Sequence, residues 1–243
     1  MIAELRRLWQ EAFGDTEETL DAFFTTGFSQ DRCHCVLHDG HPVSALYWFD
    51  CALDGHKLAY IYAVATEEKH RGRGFATRLM TETREILREK GYAGVILVPG
   101  TPELFSYYEK LGYRAITQVE EFSCVAGKAA VYVQEIAKEE YARLRRKYLP
   151  KGGVYQEGAT LSYLASYVRF YAGEDFLLAA TVDKDRLTGQ ELLGNADAAP
   201  GILRALDVPR GQFRTPGRGR EFAMLLPLQE NCPTPAYFGL SME

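Results

Sequence analysis

The chain of 243 residues has no apolar run close to the roughly 18 residues that a membrane-spanning helix needs. It also has no block of like charges, and its formal net charge of −5 argues against a general nucleic-acid-binding face. Neither a membrane nor a nucleic acid is therefore expected among its partners. An acidic balance favours cationic or neutral small ligands instead.

Cysteine is scarce as well. There are five cysteines, and only Cys33 and Cys35 lie close together, with His34 between them. The C-x-x-C spacing of a structural zinc site or a disulfide scaffold is absent. Successive side chains of a strand point to opposite faces, so His34 would point away from both cysteines. We expect reduced thiols, no metal and a cytoplasmic location, since the amphipathic residues 1–9 lack the apolar stretch of a secretory signal.

What the chain does have is the composition of a globular protein, with 47% apolar and 25% charged residues. Its length allows one large domain or two small ones. Alternating helical and strand patterns predict an α/β fold. A seam at Ala126-Gly127-Lys128 divides the chain into two predicted domains, residues 1–127 and 128–243.

The second domain repeats the order of elements predicted for the first, without detectable residue identity. It is either a degenerate structural repeat or an unrelated α+β extension, and both interpretations stay open. The main elements predicted there are a strand at residues 131–133, a helix over 161–171, a hairpin of 176–181 with 187–193, and late strands at 221–226 and 237–240.

The most informative segment is a predicted strand over residues 57–66, a glycine-containing bend and a long helix ending near residue 90. Gly72 and Gly74 leave backbone N–H groups unobstructed and permit φ angles that other residues avoid. The helix that follows adds unpaired N–H groups and the positive end of its dipole. Such a bend binds a phosphate or pyrophosphate, and Arg71 and Arg73 add positive charge.

Two other phosphate-binding patterns do not match this bend. A Walker loop needs Gly-Lys-Ser/Thr at the helix start, but Gly74 is followed by Phe75-Ala76. The dinucleotide fingerprint needs a third Gly or Ala where Thr77 stands. A similar glycine-rich run, residues 216–220, is followed by a predicted strand, so we expect a hairpin turn there.

The residues around the bend resemble a known family. The acetyl-CoA motif of the GNAT superfamily of N-acetyltransferases is similar to Val64-Ala65-Thr66 followed by Arg71-Gly72-Arg73-Gly74-Phe75-Ala76. The later helix-to-strand signature of that family resembles Phe105-Ser106-Tyr107-Tyr108-Glu109-Lys110-Leu111-Gly112-Tyr113. The two motifs lie in the family's order and at a fitting separation.

The resemblance implies a mixed, mostly antiparallel sheet flanked by helices, with a C-terminal half that is GNAT-like or α+β. It implies acetyl-CoA as co-substrate, with its pyrophosphate on the backbone of residues 71–76. The strand ending near Val64 would diverge from residues 95–98, and main chain near Val64 would bind the acyl carbonyl.

Two positions depart from the family pattern. Lys69 stands where the family usually has Gln or Arg, and lysine does not offer the same fork of donors. The first strand of the family is missing before the first helix. Residues 131–133 could fill that edge of the sheet or could belong to the second half.

Transfer to an amine needs a polarised thioester, an acceptor that loses a proton and a thiolate that gains one. By resemblance, Tyr108 is the acid that protonates the departing sulfur. Its neighbour Tyr107 would point elsewhere, because adjacent helical residues diverge by about 100°.

The general base stays open, because residues 58–65 contain no carboxylate. The side-chain candidates are Tyr60, Tyr62, His56 and Asp50, with a water chain as a further route. Some tandem GNAT enzymes, those of the enhanced-intracellular-survival type, use their chain terminus as base, so the carboxylate of Glu243 is a further, loosely matched candidate.

The sequence thus predicts an acyl-CoA-dependent N-acyltransferase that acetylates a small primary amine by direct attack in a ternary complex. The alternative is a non-catalytic module that binds or senses acyl-CoA. The partner is a small-molecule amine, and a homodimer is one option for assembly.

Overall fold

Two Asp-Gly turns build the first strands into antiparallel hairpins. In the computed structural model, which describes residues 1–242, the strands are β1 (Cys33–His38), β2 (His41–Leu53) and β3 (His56–Thr66). Both residues of Asp39-Gly40 and of Asp54-Gly55 have positive φ, as such tight turns require. The first turn joins β1 to β2 and the second joins β2 to β3, as the sequence predicts.

The helices of this part begin and end at local signals. Gly14, in the left-handed conformation, ends the first helix, and the Thr16 side chain accepts the Thr19 N–H at the start of the second. Thr101 is the N-cap residue of the fourth helix, but its side chain makes no capping hydrogen bond. The helices are α1 (Ile2–Phe13), α2 (Glu17–Ala22), α3 (Phe75–Glu89) and α4 (Pro102–Lys110), with a π-helical turn at Phe23–Gly27.

The first sheet has helices on both faces. Its strand order is β1-β2-β3-β4-β14-β5, where β4 is Gly94–Leu97, β5 is Arg114–Ala115 and β14 is Met224–Pro227. Only the β3–β4 pair is parallel among β1 to β4, and β14 is antiparallel to β4. Leu5 and Leu8 of α1 pack on one face, while Leu79 and Leu87 of α3 join the core on the other.

The first unit is built from two separate segments of the chain. One compact unit comprises Met1–Arg114 and Met224–Pro233, and the other comprises Ala115–Ala223 and residues 234–242. These units do not follow the seam at residues 127 and 128, because β14 pairs in the first sheet; the two-domain boundary itself stays a prediction. Glu243 lies outside the described residues. None of the helices in residues 1–242 has the length and apolar character that crossing a bilayer requires.

The second unit contains its own sheet, with the order β13-β6-β12-β11-β10-β9-β7. Its helices are α5 (Lys138–Tyr148), α6 (Ala159–Leu164) and α7 (Ala199–Ala205). The strands of this sheet are β6 (Gln118–Val125), β7 (Gln134–Ile136), β9 (Arg169–Ala172), β10 (Phe176–Asp183), β11 (Arg186–Gly194), β12 (Arg210–Pro216) and β13 (Arg220–Glu221). The short strand β8 (Tyr155–Gln156) is not part of it.

The connections of the second unit repeat those of the first. Two helices, α5 and α6, precede the antiparallel strands β9, β10 and β11, and α7 then leads to β12, which is parallel to β11. In the first unit α1 and α2 precede β1, β2 and β3, and α3 leads to β4. This shared order favours the degenerate repeat over the unrelated extension.

The repeat lacks an open bend after its third antiparallel strand. Asn195 follows β11, its N–H donates to the Asp175 carbonyl at 2.9 Å, and its side-chain amide donates to the Asp175 carboxylate at 2.8 Å. The Asn195 side chain also accepts the Asp197 N–H at 3.0 Å. These amides are already paired and lie beside carboxylates, so this turn offers no anion site.

Several sequence predictions for the second half need correction. The strand expected at residues 131–133 forms at Gln134–Ile136 and pairs with β9, which places it in the second sheet. The helix expected over 161–171 ends at Leu164, because Arg169–Ala172 pairs with β10. The hairpin of β10 and β11 is confirmed.

The late chain also differs from expectation. The strand expected at 221–226 is two short strands, β13 and β14, that pair in different sheets. Residues 237–240 form no strand, and Tyr237 makes only an isolated bridge to Gly153. The run at 216–220 is not a hairpin: β12 and β13 flank β6 on opposite sides, so the chain crosses the end of β6.

A buried ion pair lies in the second unit. Arg145 Nε and Nη2 donate to the two carboxylate oxygens of Glu191 at 2.6 and 2.9 Å, and the Tyr141 hydroxyl donates to Glu191 at 2.8 Å. The side chains of Arg145 and Glu191 are 2% and 0% exposed. Breaking such a pair leaves one charge buried without a partner, which is far more costly than losing a surface pair.

We expect Arg145→Met to lower the free energy of unfolding by about 3–5 kcal/mol, because the buried Glu191 side chain loses its ion-pair partner. The control is Arg146→Met, whose pair with Glu157 is 62% and 35% exposed, and its effect should stay below about 1 kcal/mol. Urea unfolding of the full chain, followed by circular dichroism, measures both. Equal losses in the two variants would contradict this interpretation.

Candidate functional site

The parallel strands β3 and β4 separate after a short paired stretch. Their register runs from Leu58 opposite Gly94 to Tyr60 opposite Ile96 and ends there. Strand β3 continues to Thr66, while β4 ends at Leu97. The divergence expected from the resemblance is therefore present, and it leaves the last part of β3 unpaired on its β4 side.

A bulge in β3 lies where the two strands diverge. The register with β2 passes from Tyr62 opposite Tyr47 to Ala65 opposite Ala45, and Ala63 has a φ of 51°. A bulge places an extra residue in one strand and disrupts the ladder locally. Val64 consequently packs against the core beneath α3 and α4, while Ala65 packs beneath α1.

The glycine bend begins α3 with unobstructed backbone. Gly72 and Gly74 have φ of 72° and 83°, and a side-chain carbon at either position would meet nothing within 4 Å. Gly74 caps α3 without a side-chain hydrogen bond, and its carbonyl accepts the Arg78 N–H at 2.9 Å. The N–H groups of residues 75–77 precede this first helical bond, so they are free to bind an anion.

Arg71 connects the bend to the end of β3. Its Nε donates to the Thr66 carbonyl at 3.1 Å, and the Thr66 hydroxyl lies 2.8 Å from that of Ser44. The predicted binding residues Val64, Ala65 and Thr66 are in this way joined to the bend at residues 71–76. Lys69, at the position that departs from the family, forms an ion pair with Glu67 at 3.2 Å.

Tyr108 is held in the core beside two other tyrosines. Its ring centre lies 5.2 Å from that of Tyr107 and 5.7 Å from that of Tyr113. Burial raises the pKa of Tyr108 to about 12, and the neighbouring Tyr107 adds to the effect. The hydroxyl therefore keeps its proton at neutral pH, as a proton donor must.

The side chain of Tyr107 points away from that of Tyr108, as expected, and makes a contact with α3 that the sequence did not predict. Its hydroxyl lies 3.5 Å from that of Thr77, in the first turn of α3. Helix α4 thus contacts the helix that begins at the glycine bend. The two adjacent tyrosines are visible in the sequence, but their spacing does not predict that Tyr107 contacts Thr77.

Comparison with protein-family models agrees with this geometry. Residues 2–116 match the model described as an acetyltransferase (GNAT) domain. This part of the chain belongs to the GNAT family. The acetyl-CoA expected from the resemblance agrees with that membership. No curated protein sequence matches the chain.

Solved structures share the fold at low sequence identity. A GCN5-related N-acetyltransferase from Kribbella flavida is 19% identical, with a TM-score of 0.70 over 93% of this chain and 69% of that one. Another from Anabaena variabilis is 13% identical, with a TM-score of 0.72 over 94% and 70%. A tandem GNAT protein from the clavulanic acid biosynthesis pathway is 11% identical, with a TM-score of 0.56 over 95% of both chains.

The candidate bases lie at different distances from the bulge of the GNAT domain. His56 begins β3, and it is on the order of 25 Å from Val64 at the usual rise per residue of a strand. Asp50 lies opposite Ala59, where it accepts a hydrogen bond from the Tyr92 hydroxyl and pairs with Lys57 at 3.4 Å. Neither position suits a base for chemistry near Val64.

Tyr60 and Tyr62 remain closer, on the face of the sheet beneath α1 and α2. The Tyr62 ring lies 5.4 Å from Trp9 and 5.8 Å from Phe23, and Tyr47 lies 5.3 Å from Trp9. Trp9, Phe23 and Tyr47 are buried, so most of this cluster is sheet core. Tyr62 is half-buried and is the candidate nearest to the bulge.

The Cys33-His34-Cys35 segment alternates across β1 as predicted. His34 Nε2 lies 3.0 Å from Glu82 Oε2 of α3, while Cys33 and Cys35 pack against the apolar cluster beneath α1. Burial raises the pKa of Cys33 to about 12. In residues 1–242, no three His, Cys, Asp or Glu side chains converge into a group that could hold a metal.

The Tyr108 hydroxyl should not ionise below about pH 11, since its environment favours the neutral form. We expect the absorbance difference at about 295 nm between the wild type and Tyr108→Phe to stay flat through pH 10, where an exposed tyrosine titrates. The unfolded chain ionises first, so this group destabilises the fold only above about pH 10. A step near pH 10 in the difference curve would contradict the burial argument.

Proposed function

We propose that this protein is an acyl-CoA-dependent N-acyltransferase that transfers acetyl from acetyl-CoA to a small primary amine. The open glycine bend at Gly72 and Gly74 carries the proposal, because Arg71 joins it to the end of β3, which has no strand partner on its β4 side. The GNAT family membership of residues 2–116 supports acetyl-CoA as the co-substrate.

The co-substrate binds in two places that the backbone offers. The backbone of residues 71–76 receives the pyrophosphate, where the N–H groups and dipole of α3 stabilise negative charge. Arg73 is exposed and adds a cation at the same end of the helix. The end of β3 at Val64, Ala65 and Thr66, which has no strand partner on its β4 side, binds the acyl end, with the acetyl carbonyl hydrogen-bonded near Val64.

The acetyl group is transferred when the amine nitrogen attacks the thioester carbonyl carbon directly. A C–N bond forms, the C–S bond breaks, the amine gives up a proton and the departing thiolate takes one from Tyr108. Burial keeps the Tyr108 phenol protonated before the step, although its raised pKa also makes it a weaker acid than an exposed tyrosine.

A covalent enzyme intermediate is not part of this mechanism. The thiolate is the reactive form of cysteine, and Cys33 and Cys35 have pKa values raised by burial. Both lie beneath α1. The proton of the amine leaves through Tyr62 or a water chain, since Asp50 on β2 and His56 at the start of β3 both lie far from Val64.

The second candidate function is a module that binds acyl-CoA without transferring the acyl group. The absence of a carboxylate from residues 58–65 favours it, because many relatives place their base on that strand. Both candidates require acyl-CoA binding, so binding alone does not separate them.

Thiol release separates the two candidates. The full chain is incubated with acetyl-CoA and a panel of primary amines, and free thiol is followed against the hydrolysis background. Release that depends on one class of amine supports the transferase. Retention of CoA without release for any amine supports the sensor, and failure to retain CoA contradicts both.

Tyr108→Phe should lower kcat by about 100-fold, the usual contribution of a general acid. CoA affinity should stay within about threefold of the wild type, because the hydroxyl acts on the departing sulfur only in the transition state. Tyr113→Phe is the matched control, since this buried tyrosine packs beside Tyr108. Unchanged turnover in Tyr108→Phe would refute its role.

We also propose a cytoplasmic location, which the reduced thiols of Cys33, Cys35, Cys124 and Cys232 support. A homodimer stays a prediction for the assembly. Light scattering after size-exclusion chromatography measures the mass directly, and a monomer mass near 27.4 kDa would contradict it.

A further inference from the structure

Two polar residues are buried inside an otherwise exposed loop. Arg71, Gly72, Arg73 and Gly74 are exposed, whereas Glu67 and His70 are each only 7% exposed. Buried polar groups are costly unless they are hydrogen-bonded, so a surface loop that buries two of them must pair them.

Glu67 and His70 pair with each other. His70 Nδ1 lies 2.8 Å from Glu67 Oε2, and the Glu67 N–H donates to the Val43 carbonyl at 2.9 Å. Glu67 Oε1 also pairs with Lys69 at 3.2 Å and with Arg7 of α1 at 3.7 Å. Burial raises the pKa of Glu67, but the hydrogen bonds from Lys69 and His70 outweigh it, and the pKa is lowered. A carboxylate only accepts, so Nδ1 carries the proton.

The other side of the His70 ring contacts the start of α3. Its centre lies 5.5 Å from that of Phe75, edge to face at 86°, and Phe75 directly follows Gly74. The ring of His38, at the end of β1, lies 5.2 Å from His70. The imidazole therefore joins a carboxylate fixed to β2 with the first residue of the helix.

The bend between these two contacts has few internal hydrogen bonds. The His70 N–H donates to the Glu67 carbonyl and the Arg71 N–H to that of Glu68. The next such bond within the described loop is from the Arg78 N–H to Gly74. The amides of residues 72–77 are left for a ligand, so their direction depends on what holds the ends of the bend.

We propose that His70 is a positioning residue for acetyl-CoA binding. It acts through Phe75 and the loop backbone: its bond to Glu67 fixes one end of the bend and its ring fixes the other. This inference rests on the proposed binding of the pyrophosphate at residues 71–76. Loss of the His70–Glu67 bond should weaken co-substrate binding and leave the chemistry at Tyr108 intact.

Two substitutions of His70 distinguish the contribution of its hydrogen bond to Glu67 from that of its ring contact with Phe75. His70→Phe keeps an aromatic ring against Phe75 and removes the donor to Glu67. His70→Asn keeps a side-chain N–H close to the position of Nδ1 and removes the ring. His41→Phe is the control, because His41 forms an equally short bond with a glutamate, 2.8 Å from Glu4, at an exposed place.

We expect His70→Phe to raise KM for acetyl-CoA about tenfold, the effect of losing one net hydrogen bond to a charged group. Its kcat should stay within about twofold, because positioning of the pyrophosphate does not change proton transfer. His70→Asn should recover part of the affinity. The control should keep the KM of the wild type. Calorimetric titration with CoA measures the affinities of the wild type and the variants directly, without turnover, and should rank them in the same order.

The outcomes distinguish this inference from the proposed function. A wild type that does not bind CoA contradicts the proposed function. A wild type that binds CoA while His70→Phe binds it equally well, or while His70→Phe loses kcat rather than affinity, overturns the role of His70. If His70→Phe does not fold, Glu67→Met tests the same bond from the other side, because methionine has no side-chain oxygen to accept the Nδ1 proton. We then expect weaker CoA binding, and unchanged affinity refutes the proposal.

Discussion

The divergence of two parallel strands is the constraint on which the first unit depends. Strand β3 leaves β4 after Tyr60 and Ile96, yet neither strand loses its place in the sheet. Strand β4 is paired on its other side by β14, from Met224 opposite Leu97 onwards, and β3 is paired with β2 as far as Thr66. Each strand can give up one neighbour because it keeps the other. The opening therefore costs few backbone hydrogen bonds and leaves polar main chain for a ligand.

Local signals made much of this unit predictable. The Asp-Gly turns, the helix that follows Gly74 and the alternation of Cys33 and His34 all depend on residues within a few positions of one another. The bulge at Ala63 could not be foreseen, because an alanine with positive φ leaves no mark in the sequence. The helix expected over residues 161–171 failed because pairing with β10 overrides the helical pattern of its second half.

The site shows the same division between local and distant causes. Glycine spacing and the motif around Tyr108 predicted a phosphate-binding bend and an acid. The bend lies at the start of α3 and Tyr108 lies in α4, while their roles stay predictions. The pairing of Glu67 with His70 depends on Val43 and Arg7, which lie on other elements, so spacing alone did not reveal it. The second unit has the same order of elements as the first, but its equivalent turn is held by the hydrogen bond between Asn195 and Asp175. A repeated topology therefore does not carry a repeated ligand site.

The return of β14 to the first sheet has a consequence for synthesis on the ribosome. A nascent chain that has reached residue 127 contains the glycine bend, α3 and α4, but β4 still has an open edge where Met224–Pro227 will pair. Unpaired strand edges invite association with other chains. The sheet of the N-terminal half is therefore complete only after residues 224–227 have been translated.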